Sequence, residues 1–338
     1  MKKSSKLFSF FMKFGIILKV RLMILKYAEV LLMKKKIGVL MGGISSEREI
    51  SLMTAREMIE HLDREKFEAI PIEINKKFDV FEKCQAIDFA LIGLHGEFGE
   101  DGCVQSILSA MEIPYSGCGP IPSCLSLDKD TSKKILRFAN VRTPDWLIVK
   151  DAKQIDFHAV KRIGYPVFVK PNSGGSSVAT TLVHQEEDLV SAIVHALEYD
   201  HEVMIEAYIK GDEISIPMID GEIYPTMAIK PKGEFFDIKA KYEAGGADEF
   251  AIELDSPLRE EVEAMLHTTW RELKLEAYAR IDLLVRDGVP YLLEANTLPG
   301  MTQTSLLPQS YASLGYSYTD LLTRLIEVSM EARGVTYD

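Results

Sequence analysis

The chain has no uninterrupted apolar run of transmembrane length, no Gly-x-x-x-x-Gly-Lys-Ser/Thr phosphate loop, no paired Cys-x-x-Cys, no internal repeat and no low-complexity tract. A spanning helix needs about 20 consecutive apolar residues, and the most apolar stretch, residues 8–32, is broken by Lys13, Lys19, Arg21 and Lys26. It also lacks the small-residue cleavage site of a secretory leader. Cysteine is scarce: Cys84, Cys103, Cys118 and Cys124 are too few and wrongly spaced for a zinc ribbon or a disulfide framework in 338 residues. They read as reduced, mostly buried thiols of a cytosolic protein. Basic charge is short as well, with 39 Lys and Arg against 51 Asp and Glu. Residues 1–32 hold seven of the bases and one acid, leaving 32 basic against 50 acidic residues in the body. That acidity argues against nucleic acid as a partner.

What is present is ordinary globular composition, 47% hydrophobic, in a chain long enough for two or three domains. Met33-Lys34-Lys35-Lys36 followed by the apolar Ile37 to Met41 reads as a second start, so residues 1–32 are expected to be an upstream extension outside the fold. The rival is a basic amphipathic helix lying on an anionic membrane, without stable insertion.

Two features suggest anion and metal chemistry. Near the C-terminus, strands from Ala279 to Val285 and from Pro290 to Leu293 flank Arg286-Asp287-Gly288, a turn that favours an antiparallel hairpin. Asp282, Glu294 and Asn296 can then gather at one end, since Glu294 and Asn296 share a strand face at i, i+2 spacing. Hard oxygens without His or Cys suit Mg²⁺ completed by water and phosphate; solvated acids at a strand end are the plain alternative. Further upstream, a strand through Lys170 runs into Pro171-Asn172-Ser173-Gly174-Gly175-Ser176-Ser177, a flexible loop able to close over phosphates that Lys170 would neutralise.

Other segments fit an α/β arrangement. The strand Ile37 to Met41 enters Gly42-Gly43-Ile44-Ser45-Ser46-Glu47 and a helix through Leu62, a turn that offers free backbone N–H groups to an anion. A second strand from Phe89 ends at His95-Gly96, at the edge where open α/β sheets bind ligands. Helices are expected over Lys129 to Phe138, Arg259 to Leu273 and Tyr318 to Arg333, a strand over Val203 to Ala207, and a polar insert over Lys239 to Glu253. Taken singly, His95 reads as structural, Lys170 as a surface lysine, Ser176 and Ser177 as loop polars, Tyr242 as a packed ring and Glu206 as a strand-edge acid.

Four motifs in order change that reading: Gly42-Gly43 with Ser46-Glu47-Arg48-Glu49-Ile50-Ser51; Leu94-His95-Gly96 with Gly99-Glu100-Asp101-Gly102; Lys170-Pro171 with Gly175-Ser176-Ser177-Val178; and Glu294-Ala295-Asn296-Thr297 with Pro299-Gly300-Met301-Thr302. From Met33 onward the chain resembles the D-alanine–D-alanine ligases of the ATP-grasp superfamily. The resemblance implies an α/β (α+β) chain, an ATP-grasp fold preceded by a small doubly wound parallel-sheet domain. Its units would be 33–128 for the substrate domain, 129–214 for the central domain and 215–338 for the C-terminal domain with the metal site.

The implied activity is ATP-dependent joining of two D-alanines through D-alanyl phosphate, for peptidoglycan precursors, by a cytoplasmic homodimer. Also implied by resemblance are nucleotide contacts from Lys129, Lys170, Ser176, Ser177, Glu206, Ile209 and Glu213. Asp282, Glu294 and Asn296 would bind two Mg²⁺ ions, with Mn²⁺ as a substitute. Arg280 and the Gly300 N–H would stabilise the oxyanion of the second step. Glu47, with His95 nearby, would take the first D-alanine's ammonium; Ser305 and Leu306 would receive the second one's carboxylate. Lys241 and Tyr242 fall in a mobile loop, Tyr242 joining Glu47 and Ser176 in a network that excludes water and favours an amine acceptor over D-lactate. Departures from the family pattern include Ala207 where Lys is frequent, Ala179 where Gly is usual and Asp212 where Arg or Pro is common. The competing functions are a D-alanine–D-serine ligase, a nucleotide-binding regulator without turnover and a membrane-anchored scaffold.

Overall fold

The computed structural model describes residues 34–175, 178–232 and 246–336. The expected extension 1–32 and the residues Ser176, Ser177, Lys241 and Tyr242 lie outside these ranges.

The first unit is a parallel sheet. Strand β1 (Lys35–Gly42) lies between β2 (Phe67–Ile74) and β3 (Phe89–Ile92), both parallel to it. The unbroken apolar run Ile37 to Met41 suits a central strand covered on both faces. Helix α1 (Arg48–His61) buries Ser51, Thr54, Ala55 and Met58, a stripe at helical spacing, against this sheet, and α2 (Asp79–Lys83) and α3 (Cys103–Ala110) follow. Gly93 allows the close approach, since a Cβ there would lie 3.2 Å from the Ala55 methyl. The β1 and β3 ends, Gly42-Gly43 and His95, therefore sit beside the start of α1.

Helix α4 (Pro120–Leu127) leads through Asp128, whose Oδ1 accepts from Thr131 N, into α5 (Lys129–Phe138). Next comes a four-stranded antiparallel sheet of order β4-β7-β5-β6: β4 (Trp146–Val149), helix α6 (Phe157–Ile163), β5 (Val167–Pro171), β6 (Thr181–Val183), helix α7 (Leu189–Ala196) and β7 (Val203–Ala207). Strand periodicity sorts its side chains. Val167, Val169, Val203 and Ile205 pack with the helices, while Phe168, Lys170 and Glu206 point the other way into a cleft.

The opposite wall is an antiparallel sheet of order β11-β10-β8-β12-β13: β8 (Asp212–Ile219), with the short β9 (Glu222–Ile223) paired to it, β10 (Thr226–Pro231), β11 (Ala247–Ile252), then helix α8 (Ser256–Glu272), β12 (Tyr278–Arg286) and β13 (Val289–Asn296). The second half of the expected polar insert is the edge strand β11, whose alternating exposure hides its β character among polar residues. Strand β8 joins this sheet from Asp212, and Leu136 of α5 packs into the same core with Val262 and Leu266 of α8. The chain ends in α9 (Leu306–Ala312) and α10 (Tyr318–Ala332). Leu321, Leu322 and Leu325 of α10 share a core with Met58, Leu62 and Phe67, so the last helix packs on the first unit.

Of the cysteines, Cys84 and Cys118 are buried but Cys103 and Cys124 are exposed, so only half of the expected burial holds. Burial pushes the Cys84 thiol up to about 11 and the Cys118 thiol up to about 12, leaving both inert near neutral pH.

Candidate active site

Between the two antiparallel sheets lies a cavity of about 350 Å³. Phe168, Lys170 and Glu206 line one side, Glu213, Asp282, Leu284 and Glu294 the other, and Tyr208 and Ile209 the connection between them. Lys129 enters from the first turn of α5, with Nζ donating to Gly174 O at 2.5 Å and standing 3.3 Å from Glu294 Oε2. Asn172 fixes that turn: its Nδ2 donates to Asp128 Oδ1 at 2.9 Å, and its Oδ1 accepts from Asp130 N at 2.9 Å. Every expected nucleotide residue in the described ranges thus faces one cavity.

Behind it is a residue that the sequence reading missed. Lys133, one turn beyond Lys129, is fully buried; its ammonium pairs with Glu206 Oε1, while Lys170 Nζ reaches Glu206 Oε2 at 2.5 Å. The Trp146 ring seals it, with Lys133 Nζ at 5.0 Å and Arg137 Cζ at 4.4 Å from the centroid. Burial drives the Lys133 ammonium down to about 8, against the pull of Glu206. For Glu206, burial acts upward but Lys133 and Lys170 prevail and hold its carboxyl at about 2. The available signal was an i, i+4 lysine pair opening α5, which places both side chains on one face.

The hairpin forms as its turn predicts, with Asp287 and Gly288 both at positive φ, 53° and 75°. Asp282 opposes Glu294, and Leu283 opposes Leu292, so Leu293 is an extra residue that bulges β13. The bulge turns Leu293 and Glu294 both to the cavity while Leu292 and Ala295 stay in the core. Arg280 grips Asp282 with two bonds, Nε to Oδ1 at 3.0 Å and Nη2 to Oδ2 at 2.8 Å. Ser215 Oγ donates to Oδ1 at 2.5 Å and Asn296 Nδ2 to Oδ2 at 2.9 Å. Burial alone would lower the guanidinium of Arg280, yet Asp282 raises it above its ordinary value, so it stays a fixed cation. Asp282, Glu294 and Asn296 bring together hard oxygens of the kind Mg²⁺ takes, and Glu294 keeps 28% side-chain exposure on the cavity. Two carboxylates and one amide would leave coordination positions for phosphate and water.

On the first unit, Glu47 stands at the N-cap position of α1 and is buried, its N–H donating to Ser45 Oγ at 3.2 Å, which in turn donates to His95 O at 2.7 Å. A Cβ placed on Gly96 would lie 2.9 Å from Glu47 Oε1, and one on Gly175 would lie 3.0 Å from the same oxygen. The carboxylate therefore sits between the strand end and the loop after Lys170, which itself borders the cavity. His95 is buried too, with Nε2 at 3.2 Å from Thr54 Oγ1 and Nδ1 at 3.4 Å from Glu100 Oε1. Beyond β13, Ser305 Oγ stands 2.9 Å from where a Gly300 Cβ would be and 2.8 Å from Thr302 Oγ1, while the Leu306 side chain is buried with Met227 and Ile229. Ser305 and Gly300 form one small cluster.

Two antiparallel sheets closing on a cavity, lysines on one wall and carboxylates on the other, define the ATP-grasp class of folds. The family model described as D-ala D-ala ligase C-terminus matches residues 129–327, and that for the N-terminus matches residues 36–81 and 76–118. The chain belongs to the D-alanine–D-alanine ligase family. It is 56% identical over 296 residues, 88% of this chain and 98% of the other, to a D-alanine–D-alanine ligase of Clostridium perfringens (strain SM101 / Type A). It resembles the structure of D-alanine–D-alanine ligase from Bacillus anthracis complexed with ATP, at TM-score 0.81 and 44% identity, over 89% of this chain and 99% of that one. VanG D-Ala:D-Ser ligase from Enterococcus faecalis is more distant, at TM-score 0.73 and 28% identity, over 88% of this chain and 100% of that one.

Proposed function

We propose that the chain is an ATP-dependent carboxylate–amine ligase that makes D-alanyl-D-alanine, with ADP and phosphate as co-products, in the cytoplasm. The observation that carries this reading is the single cavity on which Lys129, Lys170, Asp282 and Glu294 converge, bordered by the loop that reaches Glu47. The 56% identity to a D-alanine–D-alanine ligase favours D-alanine as acceptor over the D-serine of the more distant VanG.

Each residue has a task in this account. Lys129 and Lys170 balance the charge of the nucleotide phosphates, Glu213 and Glu206 bind its ribose and adenine, and Ile209 packs against the base. Asp282, Glu294 and Asn296 would hold Mg²⁺, or Mn²⁺ in its place, which would offset the charge that develops on the phosphates. Glu47, beside His95, accepts the ammonium of the first D-alanine and aims its carboxylate at the γ-phosphate. Reaction gives D-alanyl phosphate; the amine of the second D-alanine, whose carboxylate is taken by Ser305 and the Leu306 N–H, then attacks the acyl carbon. Arg280, already oriented by Asp282, and the Gly300 N–H stabilise the oxyanion before phosphate leaves. Ser176, Lys241 and Tyr242 complete the set as a cover that keeps water from the acylphosphate. The same reading takes the chain as a homodimer of three-unit subunits, the third unit beginning with β8.

The direct test is phosphate release together with mass analysis of products, from Mg²⁺, ATP and D-alanine, alone and with D-serine or D-lactate. D-Alanyl-D-alanine from D-alanine alone is the expected product. Preferential mixed dipeptide in the presence of D-serine would move the reading to the D-serine ligases.

A further inference from the structure

Two lysines share one carboxylate at the back of the cleft. Lys170 holds Glu206 Oε2 from the cavity side, its side chain 16% exposed, whereas Lys133 holds Oε1 from beneath, its side chain 1% exposed. The Trp146 ring lies over Lys133, and Arg137 lies over the same ring. Lys170 is thus the partner with room to move, and it borders the cavity. A polyanion entering there draws the lysine it can reach. Glu206 is 2% exposed, so losing Lys170 without a second counter-ion would strand a charged carboxylate away from water. Lys133 removes that obstacle.

We propose that Lys133 is a positioning residue for nucleotide binding: by keeping Glu206 neutralised from beneath, it releases Lys170 to turn from Glu206 to phosphate. Lys133 itself touches neither nucleotide nor amino acid. The inference rests on the phosphate role proposed above for Lys170.

Lys133→Met removes the charge and keeps an unbranched side chain. Glu206 then has Lys170 alone and retains it, so the Kd for Mg–ATP by titration calorimetry and the KM for ATP both rise about tenfold, while kcat and the KM for D-alanine stay within about twofold. Adenosine carries no phosphate for Lys170 to meet, so the Kd of Lys133→Met for adenosine stays within about twofold of wild type. A Lys133→Met protein with unchanged Mg–ATP affinity, or one that loses adenosine as strongly as Mg–ATP, overturns the proposal. Should Lys133→Met fail to fold, Lys133→Gln is read in the same way: Mg–ATP about tenfold weaker with adenosine unchanged is expected, and equal losses for both ligands contradict the proposal. Binding is read without turnover, so wild-type protein that binds Mg–ATP but makes no dipeptide would defeat the ligase reading and leave this test standing.

Discussion

Ala179 lies at φ +52°, in the left-handed region that costs an L-residue with a Cβ about 1–2 kcal/mol. It stands beside Val178 and Thr180, which line the cavity, where family resemblance leads one to expect Gly. Part of the relief from Ala179→Gly is offset by the freer unfolded chain, so we predict a net stabilisation of about 0.5–1 kcal/mol, read as a higher denaturant midpoint at unchanged slope. An unchanged or lower midpoint would show that the position is not strained. Glu206 gives a pH-dependent counterpart. Its carboxyl is depressed in the fold, to about 2 from an ordinary 4.5, so its contribution to stability is present above 4.5 and is lost as pH falls toward 2. Acid unfolding of the Lys133→Met/Glu206→Gln protein should therefore be flatter than wild type across that window, and parallel curves would contradict the pairing. At this scale the motif residues were legible because their chemistry is local to short strings. Lys133 was not, since the fold, not the string, turns it inward to a carboxylate 73 positions away.

Hairpins and strand ends carry the site. The β12–β13 turn was legible from Asp287-Gly288, and its left-handed pair of residues is the physical reason. A Cβ at Gly288 would meet nothing within 4 Å, so Gly288→Ala should cost about 1 kcal/mol through backbone conformation alone, measurable by chemical denaturation. A much larger loss would mean that the turn has packing partners. The bulge at Leu293 was not legible: strict alternation would put Leu292 and Glu294 on one face, and only the register against Asp282 and Leu283 separates them. Strand β11 escaped for a similar reason, because a half-exposed edge strand needs few apolar residues. The first strand, by contrast, announced itself through an apolar run that only a doubly covered parallel strand requires.

At the scale of the molecule, the sequence order of the elements does not match their packing. Helix α10 closes the chain yet packs with α1, and α5 packs with the six-stranded sheet although it precedes the four-stranded one. Such contacts join residues far apart in sequence and leave no local periodicity to read, so the division at 214 and 215 falls inside β8. The same packing brings Glu47, the loop after Lys170 and the hairpin of Asp282 and Glu294 around one cleft. Chelation of divalent ions with EDTA should abolish turnover, and added Mg²⁺ or Mn²⁺ should restore it; turnover surviving chelation would remove Asp282, Glu294 and Asn296 from the reaction. The most direct test is to supply residues 33–338 with Mg²⁺, ATP and D-alanine alone, and to follow phosphate release and dipeptide mass together. Equal amounts of phosphate and D-alanyl-D-alanine are the predicted result, whereas Mg–ATP binding with no dipeptide from D-alanine would contradict it.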